Sequence, residues 1–566
     1  MRVFFLLLIT VASVHAQWKT ETYSFQGGWN SIYLIGDASQ DAIGNLFPAE
    51  VVEIWRWNSN PTQVQFTQSP QTPSGGTPEW SVWRRGFPAE SEFSELNGQT
   101  AYLVKCLGTA STSIPAFDLK QTPLPPTAAW VRNGANLMGF PTFKNGLNFP
   151  TFATYFATFP AAIVSNTQIF QYVGGELGPS NPIQVFSTLG EEVDRSKAYW
   201  FSAEAVENFV GPLDIQLTNG SGLDFGRNGS IISVRIRNRS NTAVTVTLSP
   251  QASEAPPSGQ TPILAPVPLT RLVFNPATLR FEPQAIAGPF TEEIPGSSTV
   301  ELRFGIDRGA MAGDQDSFFA SFLRLTDSGN LMDVWLPARA QNTSLDGLWI
   351  GDITVSGVES KVPGSPGSTT PRDFKLRTIL HRDGSGTARL LSQVFLGQLD
   401  VAPNDVGLCS VESLLKQDAK ASARRLVAAH MPLDQVITGS GSVAVPGALS
   451  CEITVPYNDP TNPFLHQYHP DHDNKDARFQ DFVLPGGVTA TTAKISDGVE
   501  APAITRSCTF TFTASPPAGS EVTSGWGSSV LGGTYTETIS GLHKETITVS
   551  GTFELRQASE INTLSQ

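Results

Sequence analysis

The sequence predicts an all-β protein built as tandem β-rich domains in a row. Three observations point there. Almost every segment alternates apolar and polar residues with period 2 and stops at Gly, Pro, Asn or Asp, the pattern of strands joined by turns. Gly (50) and Pro (41) are plentiful, while charged residues make up only 16%, against a usual ~25%. Helical spacing is rare and confined to 41–47, 151–159 and 411–429. The 566 residues, 40% of them apolar, suffice for about four domains. This composition excludes a disordered polyelectrolyte, a coiled coil and a collagen.

The chain opens with an export signal. Arg2 gives a positive start, residues 3–12 are almost unbroken apolar, and Val14-His15-Ala16 offers small residues for cleavage. Removal of 1–16 is expected to leave a mature chain from Gln17 that is secreted, extracellular or at the cell surface. The apolar run is shorter than the ~20 residues that span a bilayer. No later stretch approaches that length, so no membrane span is expected after cleavage. The formal charge is −14, and loss of Arg2 makes the mature chain more acidic still. Acidity speaks against nucleic acid, whose binding rests on Lys and Arg neutralising phosphates, and against anionic membrane surfaces. The partners this compartment suggests are extracellular polysaccharide or cell-envelope components.

Residues 17–120 and 121–220 read as two copies of one unit. Gly28-Trp29-Asn30-Ser31-Ile32-Tyr33-Leu34 corresponds to Gly134-Ala135-Asn136-Leu137-Met138-Gly139-Phe140. Ile54-Trp55-Arg56-Trp57 corresponds to Ile169-Phe170-Gln171-Tyr172, and Ala101-Tyr102-Leu103-Val104 to Ala198-Tyr199-Trp200-Phe201. The spacing between copies drifts by a loop's worth of residues, as insertions between strands produce. These motifs resemble the "GWN … I-W … AYW" β-rich repeats of secreted bacterial surface proteins, over roughly residues 23–215. The resemblance implies architecture and carries no defined biochemical role.

Residues 221–344 form a different unit. Leu223-Asp224-Phe225-Gly226 leads to the alternating Ile232-Ser233-Val234-Arg235-Ile236-Arg237-Asn238, a turn, and Ala243-Val244-Thr245-Val246-Thr247-Leu248. Later strands follow at 295–304 and 318–326, giving about the seven short strands of a sandwich. The pattern resembles bacterial immunoglobulin-like domains and implies an immunoglobulin-like β-sandwich. Its Asp-Phe-Gly is not a kinase element, because no glycine-rich or catalytic loop accompanies it. Residues 345–566 open on the alternating strand 347–355 and continue with a hairpin turning at Asp383-Gly384. Further strands fall at 440–445, 450–455, 507–512, 533–539 and 545–555. A larger C-terminal β-sandwich is expected, with an irregular insertion at 456–500. This part resembles an uncharacterised C-terminal domain of large secreted bacterial proteins, which implies no activity.

The sequence holds no Gly-x-Ser-x-Gly elbow, Walker A loop, His-Glu-x-x-His or Cys-x-x-Cys. The candidate chemistry lies in one segment, where His466, His469 and His472 stand among Asp471, Asp473, Asn474 and Asp476. Its close-spaced oxygens suit Ca²⁺. Zn²⁺ fits less well, because Pro463 and Pro470 favour an extended form in which successive His lie roughly 9 Å apart. The same residues also make a hydrogen-bonded loop, since Asp and Asn readily bond nearby backbone.

Trp80 and Trp83 fall in a Pro- and Gly-rich stretch, where exposed rings would stack on sugars. Trp55 and Trp57 share a strand face with Val51 and are expected in the core. Cys451 and Cys508 sit on the apolar faces of two alternating segments. They form a disulfide if the strands are neighbours, and otherwise are two buried thiols. The reading is a non-catalytic secreted or cell-surface protein with a binding, adhesion or envelope-structural role, with no catalytic residue and no certain cofactor. Two alternatives stand beside it: an exported hydrolase with a metal-assisted site at 466–476, and a carbohydrate-binding protein using Trp80 and Trp83.

Overall fold

The computed structural model describes residues 17–58, 72–131, 134–163, 168–203, 208–218, 220, 222–277, 279–313, 316–360, 368–369, 374–396, 398–402, 405–408, 437–455, 483–484, 488–489, 504–517, 525–540 and 546–564. The chain divides into two units, Met1–Ile306 with Ser317–Gln341, and Asp307–Asp316 with Asn342–Gln566.

The first repeat of the first unit contains β1 (Lys19–Gln26), β2 (Gly28–Leu34), β3 (Gly36–Asp37), β4 (Val51–Trp57), β5 (Trp80–Arg84), β6 (Thr100–Cys106) and β7 (Ser113–Pro123). Strands β2, β6, β4 and β5 lie side by side in that order, and β1, β7 and β3 make a separate small sheet. The second repeat contains β8 (Gly134–Met138), β9 (Ile169–Gln171), β10 (Ile183–Gln184) and β11 (Tyr199–Ala203), ordered β8, β11, β9, β10. Motif for motif, this is the order of the first sheet. The helical spacing at 41–47 and 151–159 yields only single turns, Ile43–Leu46 and Phe152–Tyr155. Residues 411–429 lie outside the described residues.

Strand β2 is buried along its whole length because its sheet is covered on both faces. Ile32, Leu34, Ile54, Tyr102 and Val104 face one core. Trp29, Trp55, Trp80, Val82 and Leu103 face the other, which they share with Ala135, Tyr172 and Trp200 of the second repeat. The two repeats are thereby joined by aromatic packing, the side-chain type that buries most area.

The immunoglobulin-like β-sandwich follows. It contains β12 (Leu213–Leu217), β13 (Leu223–Gly226), β14 (Ile231–Asn238), β15 (Val244–Ala252), β16 (Leu269–Asn275), β17 (Arg280–Ala285), β18 (Phe290–Ile294), β19 (Thr299–Ile306), β20 (Phe318–Asp327) and β21 (Asp333–Gln341). One sheet runs β12-β14-β19-β16-β17 and the other β13-β21-β20-β15-β18. The alternation of β14 places Ile232, Val234 and Ile236 inside while Arg235 and Arg237 face out. Phe290 and Phe304 meet across the two sheets with ring centres 6.4 Å apart. Asp224 of the Asp-Phe-Gly strand accepts a 2.6 Å hydrogen bond from Arg339, a structural use of that residue.

The second unit begins with β22 (Gly347–Ser360), β23 (Ser368–Thr369), β24 (Phe374–Arg382), β25 (Ala388–Leu396), β26 (Gln398–Ala402) and β27 (Asp405–Leu408). It continues with β28 (Ile437–Thr438), β29 (Ser440–Gly441), β30 (Gly447–Val455), β31 (Val483–Leu484), β32 (Val488–Thr489), β33 (Ile504–Phe512), β34 (Val530–Ser540) and β35 (Ile547–Ser559). The main sheet runs β28-β25-β24-β22-β35-β34-β33-β30-β29, with β23 beside β22. Its two end strands, β28 and β29, are separated only by Gly439, so the sheet nearly closes on itself. Opposite walls enclose one core, as in the sandwich expected for 345–566, but a single curled sheet supplies both walls. Near-closure leaves only the two-residue strands β28 and β29 at its edges.

Trp349, Ile353, Leu376, Leu390, Leu449, Phe510, Tyr535, Phe553 and Leu555 belong to the enclosed core. The curl needs close backbone approach: a Cβ on Gly533 would lie 1.8 Å from the Thr511 carbonyl oxygen of the next strand. The hairpin expected at Asp383-Gly384 turns through a longer loop, 383–387, between β24 and β25. The Asp383 carboxylate accepts from the N–H groups of Ser385 and Thr387 there, each at 3.0 Å. Segment 307–316 belongs to this unit, and Asn342 Nδ2 donates to the Met311 (3.2 Å) and Gly313 (3.0 Å) carbonyls.

Candidate functional site

The repeat motifs are braces for the backbone. Asn30 Nδ2 donates to the carbonyls of Gln26 (2.7 Å) and Gly28 (3.1 Å), and its Oδ1 accepts the Gln26 N–H at 3.0 Å. Asn136 repeats the clamp, donating to Val131 (3.1 Å) and Gly134 (3.2 Å) and accepting the Val131 N–H at 2.7 Å. The Tyr102 hydroxyl accepts the N–H of Asn97 at 2.9 Å, and the Tyr199 hydroxyl that of Asp194 at 2.8 Å. Gly28 (φ 86°) lets the second repeat approach: a Cβ there would sit 2.4 Å from the Gly175 carbonyl oxygen, the acceptor of a 2.8 Å bond from the Trp29 N–H. Buried polar groups need such partners, and these motifs supply them.

The sugar-stacking expectation is corrected for Trp80, which is buried, while Trp83 stays partly exposed. Both lie on β5, in register with β4 (Trp57 opposite Trp80, Ile54 opposite Trp83), because the Pro- and Gly-rich stretch ends just before Trp80. Trp80 is 4% exposed and meets Trp55, Trp57 and Trp200 edge-on at 6.1, 5.1 and 6.1 Å. Trp83 packs half-buried on the first core, with the Arg85 guanidinium 5.4 Å from its ring centre. Trp55 lies in the shared aromatic core and Trp57, partly buried, packs against it. The segment with His466, His469, Asp471, His472, Asp473, Asn474 and Asp476 lies outside the described residues. Among the described residues, no group of three or more His, Cys, Asp or Glu is placed to hold a metal ion. Likewise, no described helix is long and apolar enough to cross a membrane.

A charged cluster ties the first unit together. Arg195, before β11, donates to Asp333 of β21 at 2.7 Å and lies 3.4 Å from Glu21 of β1. Arg324 of β20 donates to Asp333 at 2.7 Å, and Glu21 also pairs with Lys19. Lys19 and Arg324 lie over the Trp335 ring at 4.9 and 5.3 Å. Burial alone would raise the Asp333 carboxyl, but the guanidiniums of Arg324 and Arg195 outweigh it and hold the group below its usual value. Burial would likewise weaken Arg195 as a base, and Glu21 and Asp333 reverse that.

In the second unit, Cys451 of β30 stands directly opposite Cys508 of β33. Both are buried free thiols, and burial pushes each up to about 12. The Tyr535 oxygen lies 3.2 Å from Cys508 Sγ, and the Tyr535 hydroxyl donates to Glu537 at 2.7 Å. Glu537 pairs with Arg506, both fully enclosed. Burial opposes the charge on Arg506, and the Glu537 carboxylate outweighs it and raises the guanidinium.

The outer face of the same sheet carries an open groove of about 610 Å³. Register lays out its lining. Lys375, Thr354 and Thr552 form one cross-strand row, and Arg377, Asp352 and Glu554 the next; Arg556 stands opposite Ile350 in the third. Arg377 pairs with Asp352, Arg556 donates to Glu554 at 2.8 Å, and Trp526 forms part of the wall. Sequence reasoning missed this surface. Its signal was present in the polar members of the alternating strands, but assembling them requires β35 to pair with β22 across nearly 200 residues of chain.

No family model matches the sequence, and no curated protein matches it. Among solved structures, the CupB2 chaperone of Pseudomonas aeruginosa is similar at 12% identity, over 30% of this chain and 91% of that one, with a TM-score of 0.15. The complex of the SafA pilin with the SafB chaperone from Salmonella enterica gives 11% identity, 34% and 92% coverage, and a TM-score of 0.15. A protein of unknown function from Bacteroides ovatus gives 8% identity, 62% and 95% coverage, and a TM-score of 0.17.

Proposed function

We propose that this chain is a non-catalytic secreted or cell-surface protein that binds extracellular or envelope polysaccharide through the outer groove of its second unit. The observation that carries this reading is the ladder of Lys375, Arg377, Asp352, Glu554 and Arg556 beside the hydroxyl residues Thr354 and Thr552. Guanidiniums donate, carboxylates accept and hydroxyls do both. Set side by side, they match a surface of sugar hydroxyls, each of which donates and accepts. Asp352 and Glu554 stand opposite one another, each paired with an arginine, Arg377 and Arg556, so the row presents charges of both signs side by side. The role of the repeat motifs as braces, and the apolar run at 3–12 after Arg2, support an exported scaffold.

The test is co-sedimentation of the mature chain with insoluble envelope polysaccharide from the organism that encodes it. The variant R377A/R556A changes only outward side chains. Loss of a charge-assisted hydrogen bond is worth about 1.5–3 kcal/mol, so binding is expected to fall roughly tenfold or more, with the melting temperature lowered only slightly by the loss of two surface ion pairs. Equal sedimentation of variant and wild type, or none by wild type, contradicts the proposal.

A further inference from the structure

We infer that Cys451 and Cys508 are a cross-strand disulfide site, closed while the chain folds and then sealed inside the curled sheet. The register brings them together: β30 and β33 are antiparallel, with Cys451 opposite Cys508. The next rows on the same face, Leu449 with Phe510 and Ile453 with Arg506, share that register. Directly opposed residues of an antiparallel pair have Cα atoms about 4.5–5.5 Å apart, inside the roughly 4.4–6.8 Å that bridged cysteines span. Both side chains point to the enclosed core, at 4% and 1% exposure, so the two sulfurs lie on the same side of the sheet.

The timing follows from burial. Thiol–disulfide exchange needs a thiolate and access. The enclosed thiols have neither, since burial holds both far above neutral pH. The bridge therefore forms before the sheet closes. One cysteine thiolate, its proton released to solvent, attacks a small-molecule disulfide; a mixed disulfide forms and one small thiolate leaves. The second cysteine thiolate then attacks the protein sulfur of that mixed disulfide, forming the S–S bond and expelling the other small thiolate. The cysteines are oxidised by two electrons and the small disulfide is reduced to two thiols. The bridge leaves no polar group stranded, because the Tyr535 hydroxyl keeps its 2.7 Å bond to Glu537.

The full mature chain, reduced and unfolded, is refolded in oxidised and reduced glutathione. It is then denatured, alkylated with iodoacetamide without further reduction, and mapped by mass spectrometry. The expected result is one linked peptide holding Cys451 and Cys508, with neither sulfur alkylated. In the C451S/C508S variant that peptide is absent, and dithiothreitol no longer lowers the melting temperature as it does in wild type. Alkylation of both cysteines, or their bridging to Cys106 or Cys409, overturns the inference. The wild-type map decides the matter even if the variant fails to fold. Glutathione supplies the oxidant, so the outcome is independent of whether the chain is exported or binds polysaccharide.

Discussion

Asn30 and Asn136 do the same work in two places, each closing the turn before its strand through three hydrogen bonds. Replacing Asn136 by Ala strands the Val131 N–H and the Val131 and Gly134 carbonyls, which Asn136 satisfies from a buried position. An unsatisfied buried group costs about 1–3 kcal/mol, so N136A is expected to destabilise the first unit by about 2–3 kcal/mol, read as a lower urea midpoint. N30A should behave alike, and equal stability of either variant with wild type contradicts the brace. At this scale the sequence was informative about which residues matter and less about why. The Gly-x-Asn and Ala-Tyr motifs stood out as repeats, but their partners are backbone groups, which carry no sequence signal. Trp80 misled for a related reason. A strand that begins just after a Pro- and Gly-rich stretch looks like part of a loop until its pairing with β4 is known.

The elements of the first unit are tied by charge as well as by aromatic packing. Asp333 on β21 takes Arg324 from β20 and Arg195 from the second repeat, while Glu21 on β1 faces Arg195 and Lys19. An unfolded Asp titrates near 3.9, and the folded Asp333 titrates below that. The carboxylate therefore adds stability that is full above the unfolded value and drains away as pH falls through the lower, folded one. Breaking a buried pair costs about 3–5 kcal/mol. D333N is expected to lower the urea midpoint of this unit at pH 7 and to flatten the fall in stability below about pH 4. A wild-type acid profile in D333N sinks this account. Period-2 alternation made single strands such as β14 and β22 readable. It could not show that β28 and β29 would bring the two ends of a sheet together, because closure is a property of register between strands distant in sequence. Strands buried on both faces, such as β2, lose the alternation altogether.

At the scale of the whole molecule, the chain is built from two β units, the second carrying a polar groove, and residues 1–16 are expected to be an export signal. The groove and the cysteine pair both depend on the curled sheet of the second unit, and both were legible only as separate strands. The acidic chain, the repeats braced from within and the outward ladder of charges support the proposal of a protein that works outside the cell by contact. The most direct test of that central claim is to fractionate the organism that encodes the chain, recover the protein by antibody and sequence its N-terminus. The account predicts recovery from the medium or the envelope surface, with Gln17 as the first residue. Recovery from the cytoplasm with residues 1–16 intact would contradict it.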